Sequence, residues 1–461
     1  MVGCLAAVIA VLWNTPTVVH VWETTGDRTK LLAPLPRTRF RAGIRSAEAS
    51  IVVDGHQYQQ MAGFGASITD SSAYVLTHDM SRAQRAAVMT ELFDPARGIG
   101  LNYLREPIGA NDFSTADYTE DDVPAGLTDP SLAHFSIAHD LQDVVPVLKQ
   151  ALAINPKIRI VATPWSAPAW MKTNQSLIGG TLEPAYVGVY AEYLAKFVKT
   201  YAAHGIRITA LTMQNEPDSS PSGYPGMALS AAQEAELAPA LSHDLAAARL
   251  HTAILGFDSD WSDAVYAVKL LDSRAAFRYL AGTAFHCYAG GPDAQLSVEE
   301  AAPAKGIYET ECSAYDAYPD FGTDLVNDTR TLVIDSIRDW SKTVLLWNLV
   351  LDQRFGPTNG GCVDCIPNVT INSSTGVATY NVGHYVLGEV SRFVQPGAYR
   401  IASTSPTGGL ETVAFENPDD EVVLLVLNGA AHGRQFAVRW DGQAFTEAIP
   451  AMSVQVFTWP S

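Results

Sequence analysis

The chain predicts an α/β fold, a (β/α)8 TIM barrel with an attached β-sandwich domain built from both chain ends, and three features of its 461 residues carry that prediction. Short apolar or β-branched runs recur eight times between residues 61 and 394. Segments with apolar residues at helical spacing separate them. Both flanks lose this alternation and read as strands punctuated by Gly, Asn, Asp and Pro. Strands alternating with helices specify a parallel sheet, and eight such units close into a barrel.

Taken in order, the barrel strands are expected at Met61–Thr69, Tyr103–Ile108, Ile158–Trp165, Ile208–Glu216, Thr252–Phe257, Thr283–Tyr288, Gly306–Glu311 and Val344–Leu349. Helices are expected over Ser81–Phe93, Ile137–Ile154, Ala185–His204, Ala231–Leu250 and Leu325–Trp340. The third is the clearest, with Tyr190, Leu194, Phe197, Val198 and Tyr201 on one face and Gly205 as its stop. Residues 21–60 read as extended, with Ser50–Val53 running into an Asp54-Gly55 turn. Residues 395–461 hold the strand candidates Val422–Leu427, Gln435–Trp440 and Ser453–Trp459. Residues 1–20 contain the apolar run Val2–Trp13, long enough for a signal-peptide core and too short to span a bilayer, so a secreted or extracytoplasmic protein is expected.

A hydrophobic fraction of 47% supports a large core. With 49 acidic and 30 basic side chains the formal charge is −19, which argues against nucleic acid or an anionic membrane as partner and suits a neutral substrate such as a sugar. Five cysteines are too few for a disulfide framework. Cys362 and Cys365 read as a local disulfide, because no second pair completes a zinc site. Cys287 and Cys312, at strand ends, read as buried thiols that could lie near each other.

Side chains at the C-terminal ends of barrel strands line the active site. Here those positions hold Asp112, Trp165, Asn215, Glu216, His286, Tyr288, Glu311, Trp347 and Asn348. Buried strands seldom end on a carboxylate, because an ionised group is costly to hide. Glu216 and Glu311 both close apolar runs, and facing carboxyls are the equipment of glycoside hydrolysis. Glu216 is the expected acid/base, with Asn215 on the sugar 2-hydroxyl, and Glu311 the expected nucleophile. Glu309 is its rival, two residues earlier and so on the same strand face. It would sit deeper and need a cation; Arg105 could serve it, or could hold Glu311 ionised. Trp165 and Trp347 offer sugar-stacking faces, whereas Trp340 reads as packing. No metal-ligand spacing accompanies His286, and the glycines at Gly63-Phe-Gly65 and Asn359-Gly-Gly361 lack a phosphate-binding context, so neither metal nor cofactor is expected.

Gly63-Phe-Gly-Ala-Ser-Ile-Thr-Asp70, Asn111-Asp-Phe-Ser114, Thr163-Pro-Trp-Ser-Ala-Pro-Ala-Trp-Met-Lys-Thr-Asn174, Gln214-Asn-Glu-Pro217, His286-Cys-Tyr288, Thr310-Glu-Cys312 and Trp347-Asn-Leu349 together resemble glycoside hydrolase family 30. The branch containing glucosylceramidase (acid β-glucosidase) is the closest in pattern. The resemblance implies a retaining enzyme that removes terminal β-D-glucosyl residues from glucosylceramide or related β-glucosides. It also implies that Asp112 and Trp165 bind the sugar, helped by Asn215 and Trp347, with His286 and Tyr288 completing the wall and Arg105 and Asn348 behind. An endo-β-1,6-glucanase of the same family is the alternative; a non-catalytic carbohydrate-binding protein would require loss of a carboxylate. Glu106, Glu309 and the loop Phe355–Thr375 depart from the pattern, the loop on the leaving-group side. The expected partner is an oligosaccharide, glycolipid or small-molecule substrate, without stable membrane insertion.

Overall fold

The computed structural model describes residues 16–43, 49–315 and 320–461. The apolar run Val2–Trp13 lies outside the described residues. Three strands precede the barrel: β1 (Val18–Thr25), β2 (Ala33–Arg39) and β3 (Ala49–Gln60). The barrel follows with β4 (Gly63–Ser67), β5 (Tyr103–Ile108), β6 (Arg159–Pro164), β7 (Ala210–Thr212), β8 (Ala253–Asp260), β9 (Leu280–His286) and β10 (Gly306–Glu311). After the two-residue β11 (Ala314–Tyr315) comes its last strand, β12 (Thr343–Asn348). These eight strands are parallel neighbours in the order β10-β9-β8-β7-β6-β5-β4-β12. Every expected barrel strand is present, in the expected order.

The ring closes where β10 meets β12 through isolated backbone bonds and side chains. Lys342 N–H donates to Ile307 O (2.8 Å) and Trp347 N–H to Cys312 O (2.7 Å). Between them the Glu309 carboxyl accepts the Leu345 N–H (3.0 Å), and the Thr343 hydroxyl donates to Glu309 O (2.8 Å). Glu309 therefore stands in for a missing stretch of backbone ladder.

Helices cover the outside. Ser81 caps Arg82–Phe93 through a reciprocal capping box with Gln84, as Ser230 and Gln233 do for Ala231–Ala247. Two expected helices are revised. The one expected from Ile137 starts at Val144, because the preceding turns send Asp140 to accept from Tyr201 (2.7 Å) and Tyr118 (3.2 Å). The one expected over Leu325–Trp340 begins at Phe321 and widens into a π-helical stretch over Thr329–Asp335.

Short strands β13 (Val350–Asp352), β14 (Cys365–Ile366), β15 (Val369–Asn372) and β16 (Val377–Tyr380) build the excursion after β12. The C-terminal strands are β17 (Tyr399–Ser403), β18 (Leu410–Glu416), β19 (Glu421–Asn428), β20 (Arg434–Trp440), β21 (Gln443–Ile449) and β22 (Ser453–Pro460). With β1–β3 they order as β2-β1-β22-β19-β18-β17-β3-β20-β21. Both chain ends thus share one sandwich, packed around Val19, Ile51, Leu424, Phe436, Phe457 and Trp459. The expected Asp54-Gly55 turn is corrected: β3 runs through it. Its first half pairs with β20 and its second with β17, with register shifts on either side of the Ile401↔Gln57 pair. Gly55 and His56, left over between the Asp54 and Gln57 pairs, make the irregularity by which one strand passes between two layers. Among the described residues no helix is long and apolar enough to cross a membrane.

Candidate active site

At the C-terminal ends of the barrel strands lies a cavity of about 270 Å³ lined by Asp112, Trp165, Asn215, Glu216, Tyr224, Tyr288, Glu311, Trp347 and the loop Gly360–Cys365. Each carboxyl in it is placed by identifiable neighbours. Glu311, the last residue of β10, accepts from the Arg105 guanidinium through one oxygen and from the Tyr288 hydroxyl (2.8 Å) through the other. Burial raises its pKa; Arg105 and His286 oppose that without cancelling it. Arg105 also donates to Asn215 Oδ1 (2.7 Å) and Asp258 Oδ2 (3.0 Å), so one buried cation aligns three side chains from three strand ends.

Glu216 leaves β7 in a left-handed conformation (φ 44°). Backbone N–H groups of Asn215 and Glu216 donate to Pro164 O (2.8 Å) and Asp258 O (2.9 Å), which fixes that turn between the ends of β6 and β8. Its side chain keeps 24% exposure, and its Oε1 stands 3.6 Å from His286 Nδ1, ion-pair range but longer than a hydrogen bond. One ligand atom each from Glu216, His286 and Glu311 lie within 4.8 Å of one another.

His286 is fully buried and does not line the cavity, so the expectation that it forms part of the substrate wall is corrected. Its Nε2 lies 3.1 Å from Asp258 Oδ1. Burial opposes its charge, yet the Glu311 charge and the Asp258 contact outweigh it, and its pKa rises to about 10. An imidazolium there supports two nearby carboxylates. Asp258 is held below the usual carboxylate range: burial pushes it up, but Arg105, His286 and the Thr310 hydroxyl (2.6 Å) prevail.

Trp165 and Trp347 stack with ring centroids 5.0 Å apart, and the Arg105 guanidinium carbon lies 4.7 Å from the Trp165 ring. Asp112 takes a hydrogen bond from the Trp347 side chain; burial and then the Glu311 and Glu216 charges raise its pKa well above the usual range. Behind it, Asn359 N–H donates to Asp112 O (2.7 Å). A Cβ on Gly361 would meet Asp112 Cβ at 2.1 Å, and one on Gly360 would meet Gly223 O at 2.0 Å. Only glycines allow the loop to bridge from Asp112 to Gly223, and a Cys362–Cys365 disulfide closes it.

Two further readings from sequence are corrected, those of Glu309 and of Cys287 with Cys312. Among the described residues Glu309 pairs with no cation, since Arg105 is committed elsewhere; burial raises its pKa to about 8, above any backbone compensation from Leu345. Asn348 points away from the cavity and accepts from Thr69 (2.8 Å), because alternation on β12 turns Trp347 inward. Cys287 and Cys312 are not thiols but a disulfide joining the ends of β9 and β10. Sequence reasoning also passed over Asp258 and Tyr224. Asp258 carried the same signature as the two glutamates, an acid ending an apolar run (Ala253–Phe257), whereas Tyr224 sits in a loop with no periodic signal.

Residues 61–394 match the glycosyl hydrolase family 30 TIM-barrel domain, and residues 397–457 the family 30 beta sandwich domain. An endo-1,6-beta-D-glucanase of Aspergillus fumigatus is 30% identical over 434 residues, covering 88% of this chain and 86% of that protein. Lysosomal acid glucosylceramidase of Mus musculus is 27% identical over 444 residues, covering 87% and 82%. A solved endo-beta1,6-glucanase is 32% identical with a TM-score of 0.89, covering 96% of this chain and 99% of that one.

Proposed function

The chain belongs to glycosyl hydrolase family 30, and from that membership we propose that it is a retaining β-glycosidase acting on β-1,6-linked glucan. The approach of Glu216 and Glu311 supports the retaining mechanism: an oxygen of each lies within 4.8 Å of the other. Retaining pairs stand roughly 5–5.5 Å apart, and inverting pairs about 6.5–9.5 Å apart to admit a water. Glu311 attacks the anomeric carbon while Glu216 protonates the departing oxygen, giving a glycosyl-enzyme. Glu216 then takes a proton from water, which attacks the same carbon and frees Glu311. Tyr288 and Arg105 hold the nucleophile's two oxygens apart and aimed into the cavity. Arg105 also fixes Asn215, whose remaining amide faces the sugar.

Likeness to the endo-1,6-glucanases supports the glucan substrate. A second reading, removal of terminal β-glucosyl residues from glucosylceramide or small β-glucosides, is favoured by one observation. The Gly360-Gly361 bridge closes the cavity beside Asp112, and a closed cavity suits a chain end. Digestion of the β-1,6-glucan pustulan separates the two. An early ladder of oligosaccharides supports the endo-glucanase; glucose alone, or activity confined to aryl glucosides and glucosylceramide, replaces it with the second reading.

A further inference from the structure

The disulfide between Cys287 and Cys312 joins residues that adjoin the reacting groups on both sides. Cys287 lies between His286 and Tyr288, the first beside Glu216 and the second bonded to Glu311. Cys312 directly follows Glu311. The backbone ladder slips at this place. β9 and β10 pair in register through Glu309↔Phe285, then slip so that Glu311 faces His286 and Thr310 is left over. Beyond the slip the Cys287 N–H donates to Glu311 O at 3.3 Å. On its far side, β10 meets β12 through the Glu309 carboxyl and isolated bonds rather than a ladder. The nucleophile therefore ends a strand that slips against β9 on one edge and has no continuous ladder to β12 on the other.

We propose that the Cys287–Cys312 disulfide is a positioning element for the nucleophile, holding Tyr288 and Glu311 in register so that its opening slows the chemical step without weakening substrate binding. It rests on Glu311 being the nucleophile. A dithiol opens the link by ordinary exchange: the S–S bond breaks, two thiols form at Cys287 and Cys312, and the dithiol, having given two electrons and two protons, becomes a cyclic disulfide. Cys287 is half-buried and offers the sulfur open to attack, while Cys312 is buried. The other link, Cys362–Cys365, borders the same cavity at the sugar-binding side, and replacing it is expected to act on KM rather than kcat, the opposite signature.

The test compares the Cys287→Ser/Cys312→Ser and Cys362→Ser/Cys365→Ser variants of the full chain on an aryl β-glucoside, well below their melting temperatures. For the first, kcat is expected to fall about tenfold to a hundredfold, as misplacement of a reacting group on the ångström scale does, with KM within about twofold. The acid limb of the kcat/KM profile should move to higher pH, because a carboxylate that loses a hydrogen bond is harder to ionise. Tyr288→Phe should move the limb in the same direction, and combining it with the cysteine changes should add little. Unchanged kcat and an unmoved acid limb, with only a lower Tm, would reduce the link to a structural staple. If the double serine variant does not fold, dithiol reduction of the Cys362→Ser/Cys365→Ser protein takes its place, with mass spectrometry confirming free thiols at Cys287 and Cys312. Reversible loss of kcat supports the proposal, and full kcat with both thiols labelled overturns it. Full activity in Glu311→Gln would instead overturn the catalytic assignment itself.

Discussion

Arg105 and Glu106 are neighbours on β5 and face opposite sides of it, each into a cluster of buried carboxyls. On the inner side Arg105 meets Glu311 and Asp258, with His286 a second cation beside them. On the outer side Glu106, Glu120 and Asp140 crowd together under tyrosines. Tyr201 donates to Asp140 (2.7 Å) and Glu106 (3.3 Å), and Tyr193 donates to Glu120. No arginine or lysine forms an ion pair with any of these three carboxyls among the described residues. Burial, joined by mutual repulsion, raises Glu106 well above the usual range, Glu120 to about 8 and Asp140 to about 6. One cluster keeps its charges by pairing them, and the other removes them by taking up protons. Burial of an acid does not by itself mark a catalytic group. A buried cation, a cavity and a second carboxyl within reach do.

That contrast can be broken most severely from the inside. Glu311→Gln and Glu216→Gln should each lower kcat by about 10³-fold or more on natural glycan. On an aryl glucoside whose leaving group needs no proton, Glu216→Gln should lose far less in the first step while Glu311→Gln stays inactive. Steady-state kinetics on the two substrates checks this. Equal losses on both would contradict the division of labour.

Arg105→Met comes next. It leaves Asp258 and Glu311 buried without their cation, and one-sided loss of a buried pair costs about 3–5 kcal/mol. Denaturant unfolding should show that cost together with loss of activity. A stable, active Arg105→Met protein would remove the basis for the inner half of the comparison.

The outer cluster should respond in stability alone. A carboxyl whose folded pKa is raised favours folding most below its unfolded value and loses that contribution as pH climbs to the folded value. For Glu120 the window runs from 4.5 to about 8. Unfolding free energy of the native protein should therefore decline across that window. Glu106→Gln and Glu120→Gln should flatten the decline, gaining about 1–2 kcal/mol at its upper end, with kcat within twofold of the native value. The smallest effect is expected at the cavity wall: Cys362→Ser/Cys365→Ser should raise KM about twofold to fivefold through a looser Asp112 wall, leaving kcat alone.

The eight barrel strands were legible because each is an apolar run that ends where polar side chains emerge, and barrel topology makes those ends converge. Glu216, Glu311, Asp112 and the two stacked tryptophans followed from that rule. Asp258 did not, although its signal was present. β8 continues through Phe257 (φ 67°) and Asp258 (φ 88°) to Asp260, conformations that leave no mark in a periodicity, so the strand read as stopping at Phe257, just before Asp258. The partner of Glu309 was misjudged for a different reason. A strand pattern shows which side chains share a face but not that the last gap in the ring lacks a ladder, which is the gap Glu309 fills. The Cys287–Cys312 link spans 25 residues, a separation that says nothing until β9 and β10 are known to be adjacent in the barrel.

The most direct test of the catalytic assignment is to trap the glycosyl-enzyme with an activated 2-deoxy-2-fluoro-β-glucoside and locate the adduct by peptide mass spectrometry. A retaining enzyme built as described will carry the sugar on Glu311. A label on Glu309 or Glu216, or steady turnover to the inverted anomer with no adduct at all, would contradict it.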